Sequence, residues 1–172
     1  MPILRRLFVR KPDPREVLRP LWHRVVEISR EPEWYAECGV ADTVSGRFDM
    51  ITAVLSLVLV RLERDRDCTA ESALLTELFV EDMDGQLRES GIGDLVVGKH
   101  IGKLMASLGG RLGAYRVALA AKGDHVLEDA VLRNVTLAGE PGPEALAKRL
   151  RALSVQLAEE TTADILAGRI ER

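Results

Sequence analysis

The chain has 172 residues, 47% of them hydrophobic and 4% aromatic, which is enough apolar material for one real core and excludes an intrinsically disordered chain. With so few aromatics that core must be built from Leu, Val, Ala and Ile, a composition that favours helix packed on helix. The net charge is −3, yet residues 1–11 carry +4 from Arg5, Arg6, Arg10 and Lys11, so the body is acidic and a broad nucleic-acid-binding face is not expected.

Residues 1–12 read as a basic leader in which Ile3, Leu4, Leu7 and Phe8 alternate with the charges. Such a segment suits a disordered tail equally with peripheral contact to a membrane surface or an acidic partner. Residues 13–172 read as one helical domain. The first helix is expected over Pro14–Ser29, with Asp13 as cap and a kink or late start near Pro20. A short segment starting at Trp34-Tyr35 stops at Gly39. Asp42-Thr43 is a turn or cap pair ahead of a long helix over Phe48–Arg64. The run Ile51–Val60 is the longest apolar stretch, about half of the ~20 residues a membrane span requires, so it reads as a buried core helix.

A third helix is expected over Thr69–Glu89. A fourth runs from Val97 to about Ala121, with Ile101, Leu104, Met105, Leu108, Leu112, Tyr115 and Leu119 on its buried face. Gly102, Gly109, Gly110 and Gly113 lie within it and imply a tight helix crossing, a groove for a partner, or a break at Gly109-Gly110. A shorter helix over Asp124–Asn134, a Gly/Pro loop and a C-terminal helix opened by Pro143 complete the pattern. The expected fold is all-α, a single-domain bundle of about six helices.

Several motifs suggest chemistry and fail on inspection. Gly93-Asp-Leu-Val-Val-Gly98-Lys99-His100 is one residue from a P-loop. A P-loop needs a buried strand ahead of it and a Ser/Thr hydroxyl for magnesium. Here a helical pattern leads in and His100 occupies the hydroxyl position. Asp82-Met83-Asp84-Gly85 resembles a calcium loop, but its glycine comes at position four and position twelve is Gly93 where a bidentate Glu is required. His23, His100 and His125 are scattered, and Cys38 and Cys68 lack metal-ligand spacing, so they read as reduced thiols in a cytoplasm-like compartment. No cofactor or metal is expected. What remains is a set of charges at a glycine-rich corner, Asp82, Asp84, Arg88, Glu89, Asp94 and Lys99. These form either an exposed ion-pair network, a structural network inside the fold, or a polar rim beside an apolar groove.

Trp34-Tyr35, Gly39-Val40, Asp42-Thr43 and Gly46-Arg47-Phe48-Asp49-Met50 stand in order. Arg61-Leu62, Phe79, Asp82-Met83-Asp84 and Leu87-Arg88-Glu89 come next. Gly91-Ile92-Gly93-Asp94-Leu95, Val97, Lys99, Gly110-Arg111 and Ala114-Tyr115 complete the series. Over roughly 34–135 this resembles the ubiquinol–cytochrome c chaperone family, assembly factors of the cytochrome bc1 complex, and is similar to its alphaproteobacterial members. The resemblance implies a non-enzymatic, helical assembly chaperone whose partner is cytochrome b or another bc1 subunit, together with a small assembly partner. It implies a cytoplasmic protein, peripheral at the inner membrane, without direct nucleic-acid contact. The partner-binding residues it suggests are Asp82, Asp84, Arg88, Asp94, Lys99, Asp42, Arg47 and Asp49. Three positions depart from the family pattern: Val54 where a histidine is common, Leu108-Gly109 where an aromatic precedes the Gly-Arg pair, and Thr136 in place of a Tyr. The alternatives are a nucleotide-binding enzyme using residues 93–100 and a generic helical interaction module.

Overall fold

The computed structural model describes residues 13–89 and 94–172, with side chains described throughout except over 87–89 and 94–100. Asp13 accepts the amide of Arg15 and caps a 3-10 turn over Pro14–Leu18. The α-helix proper, α1, starts only at Arg19 and ends at Ser29. This is the late start expected at Pro20, because a proline fits the first helical turn without losing a hydrogen bond.

One-turn helix α2 (Pro32–Ala36) starts two residues earlier than the sequence pattern suggested. Trp34 and Tyr35 hold it to the end of α1: Trp34 Nε1 donates to the Ile28 carbonyl at 2.6 Å and Tyr35 Oη to the Ser29 carbonyl at 2.9 Å. Helix α3 (Val44–Leu62) is the centre of the molecule. It packs against α1 (Arg19–Ser29), α5 (Asp94–Ala120) and α7 (Pro143–Glu159), and every residue from Asp49 to Leu59 is buried. A helix apolar on all sides must be enclosed on all sides. Val54 is one of these enclosed side chains.

A 3-10 turn at Arg66–Cys68 leads into α4 (Thr69–Glu89), which packs on the Pro14–Leu18 turn, α1 and α5. Helix α6 (His125–Asn134) lies between α5 and α7, and one-turn α8 (Thr162–Leu166) returns to α1. The all-α, single-domain expectation therefore holds. Among the described residues six helices exceed one turn, and the β geometry consists of an isolated antiparallel bridge, Val40 with Leu137.

Arginines lock the ends of the bundle. Arg61, 11% exposed, donates to the carbonyls of Leu157 and Glu160 at the end of α7 and to Asp65 at 3.0 Å. Arg151 does the same for the end of α5 through the carbonyls of Ala118, Leu119 and Gly123. Arg61 and Arg151 thereby satisfy carbonyls at helix ends that have no intrahelical donor. The guanidiniums of Arg149 and Arg172 lie 4.9 and 5.6 Å from the centre of the Trp34 ring, and Arg172 also pairs with Glu31.

Two expectations about α5 need correction. The helix continues through Gly109-Gly110 without a break, and an ideal Cβ at Gly102, Gly109, Gly110 or Gly113 would meet nothing within 4 Å among the described residues. So among the described residues these glycines mark no tight crossing. Nor is α5 one of the most buried helices. Leu108, Tyr115 and Ala118 are buried, Ile101, Leu104, Leu112 and Leu119 are half-buried, and Met105 is 42% exposed. The reason is that α5 is covered by α3, α4 and α6, whereas α3 is enclosed by α1, α4, α5 and α7.

Candidate functional site: an arginine-rimmed groove at the start of the central helix

The groove begins with a backbone arrangement. Residues 39–41 run antiparallel to 136–138, with Ala41 N bonded to the Thr136 carbonyl at 2.9 Å and Ala138 N to the Gly39 carbonyl at 2.8 Å. Thr43 then caps α3, its hydroxyl accepting the Gly46 amide at 3.1 Å. Gly46 is required here: a Cβ would lie 2.0 Å from the Ala41 carbonyl oxygen. This tight entry brings Thr136 against the second turn of α3.

Asp49 sits at that junction, 6% exposed. Its Oδ1 accepts Arg111 Nη2 at 2.6 Å; its Oδ2 accepts both the Thr136 amide at 2.8 Å and the Thr136 hydroxyl at 2.7 Å. Arg111 Nη1 donates to the Thr52 hydroxyl, and the guanidinium lies 5.2 Å from the centre of the Phe48 ring. One carboxylate thus ties α3 to α5 and to the strand-like segment after α6. Below it Tyr115 is fully buried, and burial pushes its phenol well above the ordinary value.

Above this tie opens a groove of about 760 Å³. Phe48, Ile51, Met83 and Leu104 supply apolar surface from α3, α4 and α5. Arg30, Arg47, Arg111 and Arg133 stand around it. Arg47 pairs with Asp42 at 2.6 Å, both 60% exposed, and that hydrogen bond holds the Asp42 carboxyl below its usual range. Among the described residues Arg30 and Arg133 have no ionic partner. The groove's cationic rim and apolar floor suit a partner segment that is apolar with acidic groups along its edge.

The sequence-derived site residues are distributed over several faces. Arg47 and Asp49 line this groove, and Asp42, the ion-pair partner of Arg47, lines an adjoining cleft. Asp82 faces the cleft between α1 and α4, beside Arg19 and His23. Asp84 faces the opposite cleft, between α4 and α5. The side chains of Arg88, Asp94 and Lys99 lie outside the described residues, as does the corner at residues 90–93 with its expected positive-φ glycines. Asp82-Met83-Asp84-Gly85 is helical, so it does not wrap an ion in the manner of a calcium loop. Helix α4 runs to Glu89, so a helix and not a strand leads towards residues 93–100. Sequence reasoning missed Arg111 and Thr136 as partners of Asp49. The Gly110-Arg111 pair was visible as a motif, but a contact across 62 residues leaves no local spacing to read.

Among the described residues no three His, Cys, Asp or Glu side chains are grouped to hold a metal, and no helix is long and apolar enough to cross a membrane. Cys38 and Cys68 are buried and free, and burial raises both thiols above their ordinary value.

The ubiquinol-cytochrome C chaperone family model matches residues 36–171. The crystal structure of the Cbp3 homolog from Brucella abortus is similar to this chain, with a TM-score of 0.78 and 30% sequence identity over 90% of this chain and 87% of that one. No curated protein matches.

Proposed function

We propose, taking as premise that this chain belongs to the ubiquinol-cytochrome C chaperone family, that it is a non-enzymatic chaperone for assembly of the cytochrome bc1 complex. Its client in this reading is cytochrome b or another bc1 subunit, held together with a small assembly partner. The observation that carries the reading is the arginine-rimmed apolar groove at the start of α3. An unassembled membrane subunit exposes apolar helix surface that aggregates in water. A groove with an apolar floor can cover such surface, and the charges around it set orientation and encounter rate more than affinity.

Asp42, Arg47 and Asp49 act at this groove, Asp49 by positioning Arg111 and the other two on the rim. Asp82 and Asp84 face other clefts and are not assigned to this contact, and Arg88, Asp94 and Lys99 are proposed as partner contacts on the sequence resemblance alone. The protein works in the cytoplasm, peripheral to the inner membrane, without nucleic acid.

The test is complementation. In cells lacking this protein, the full chain restores bc1 assembly, and Arg47→Glu with Arg133→Glu does not, while the doubly substituted protein melts within about 2 °C of the parent because both side chains are exposed. Full assembly by that variant at normal abundance would refute the groove as the client surface.

A further inference from the structure

A second groove, of about 690 Å³, lies between α4 and α5 on the other side of the bundle, and its charge is opposite. Its floor includes Leu59, Val80, Met105 and Leu112. Its rim carries Glu63, Glu77, Glu81 and Asp84; Arg15 and Arg19 approach Glu81 at 3.5 and 3.6 Å, and among the described residues the acids outnumber the cations. Arg116 pairs with Glu63 at 2.5 Å beside it. The occupant of such a surface must be apolar along one side and positively charged along the other.

The chain holds a segment of that description at the right place. Residues 1–11 contain four cations and no acid, interleaved with Ile3, Leu4, Leu7 and Phe8. They join the fold at Asp13 and the Pro14–Leu18 turn, which packs on α4. Arg15, two residues further on, already lies in the rim and approaches Glu81 at 3.5 Å. The charge match is specific to this groove, since the first one is ringed by arginines and would repel the same segment. Reach is no obstacle: four residues of chain extend to about 13 Å, and the five residues of α4 from Glu81 back to Thr76 rise about 7.5 Å.

We infer that residues 1–11 dock into the acidic groove between α4 and α5 of their own chain. The segment covers Met105 and the apolar floor while its cations lie along the exposed acids Glu77 and Glu81 of the rim. Docking there uses the same apolar residues that a membrane surface would take up, so the two placements exclude each other.

The experiment uses the full chain with a cysteine pair, Val9→Cys with Thr76→Cys, and as control Val9→Cys with His23→Cys. Thr76 lines the acidic groove, whereas His23 lies exposed in the neighbouring cleft on the other side of α4. The native Cys38 and Cys68 are buried and do not compete. Under mild oxidation the Val9–Thr76 pair is expected to crosslink within one chain at least about fivefold faster than the control. Adding Glu77→Lys and Glu81→Lys, or about 0.5 M salt, should remove that advantage. Vesicles containing acidic lipid should slow the crosslink by drawing the segment away. Equal rates at Thr76 and His23, a rate insensitive to charge reversal, or a product that runs as a crosslinked dimer would each overturn the inference.

Discussion

Removing the Asp49 carboxylate is the sharpest perturbation the structure offers. Asp49→Ala deletes three hydrogen bonds and leaves Arg111, 15% exposed at its side chain, with only the Thr52 hydroxyl and the face of Phe48. The dominant loss is not the pair's own attraction, which desolvation of both ions largely cancels, but the unpaired charge that remains. That penalty is about 3–5 kcal/mol. At about 2–4 °C per kcal/mol for a chain of this size, the melting temperature should fall by roughly 6–20 °C. Urea unfolding followed by far-UV circular dichroism measures it directly. The decisive comparison is the double variant Asp49→Leu with Arg111→Met, which removes both charges and keeps the volume apolar. It should recover most of the loss, giving a coupling energy of at least about 2 kcal/mol. An Asp49→Ala protein within about 1 kcal/mol of the parent, or a double variant whose loss equals the sum of the two single losses, would refute this account of the tie.

Arg61→Met should cost about 2–4 kcal/mol by urea unfolding, because it frees the carbonyls of Leu157 and Glu160 at a nearly buried helix end. Gly46→Ala should destabilise by roughly 1–3 kcal/mol in the same assay, since the added carbon would sit 2.0 Å from the Ala41 oxygen. On the exposed side of α5 the sign reverses: Gly109→Ala should stabilise by about 0.5–1 kcal/mol, having no clash to create. Asp13, Glu31, Asp42, Glu63, Asp65 and Asp164 all have carboxyls held below their ordinary range, Asp13 down to about 2. Their protons therefore bind the unfolded chain first, so the melting temperature should be level from about pH 8 to pH 5 and fall as the pH drops below about 4.5, which a thermal scan across buffers checks.

Local periodicity was sufficient for the helices. The caps at Asp13 and Thr43, the delayed start at Pro20 and the end of α4 at Glu89 all depend on residues within one turn, and each fell close to its expected place. The burial of α3 was legible for the same reason: Ile51–Val60 has no polar side to expose apart from Thr52 and Ser56, whose hydroxyls bond back to their own helix. The exposure of α5 was not legible. Its apolar residues repeat correctly for a buried face, but how many neighbours cover that face is set by chain topology, which an amphipathic pattern does not encode.

The same distinction separates the two kinds of charged residue. A helix pattern places Asp82 and Asp84 two residues apart and suggests one patch, yet two residues along a helix is a rotation of about 200°, and they face opposite clefts. Asp49 and Arg111 looked unrelated, yet they make the central contact of the fold because α3 and α5 cross there. Sequence spacing therefore tells which charges cannot share a face and leaves open which distant ones do. Among the described residues that difference sets Asp49 and Asp84 at two separate grooves. In the groove over Asp49, Arg47 and Arg111 pair with Asp42 and Asp49, while among the described residues Arg30 and Arg133 have no ionic partner, which is the charge the proposed client would meet. For the acidic groove the complement we propose is the chain's own residues 1–11. The two proposals, a client in one groove and the basic segment in the other, can be tested separately by substitutions that never touch the buried tie at Asp49.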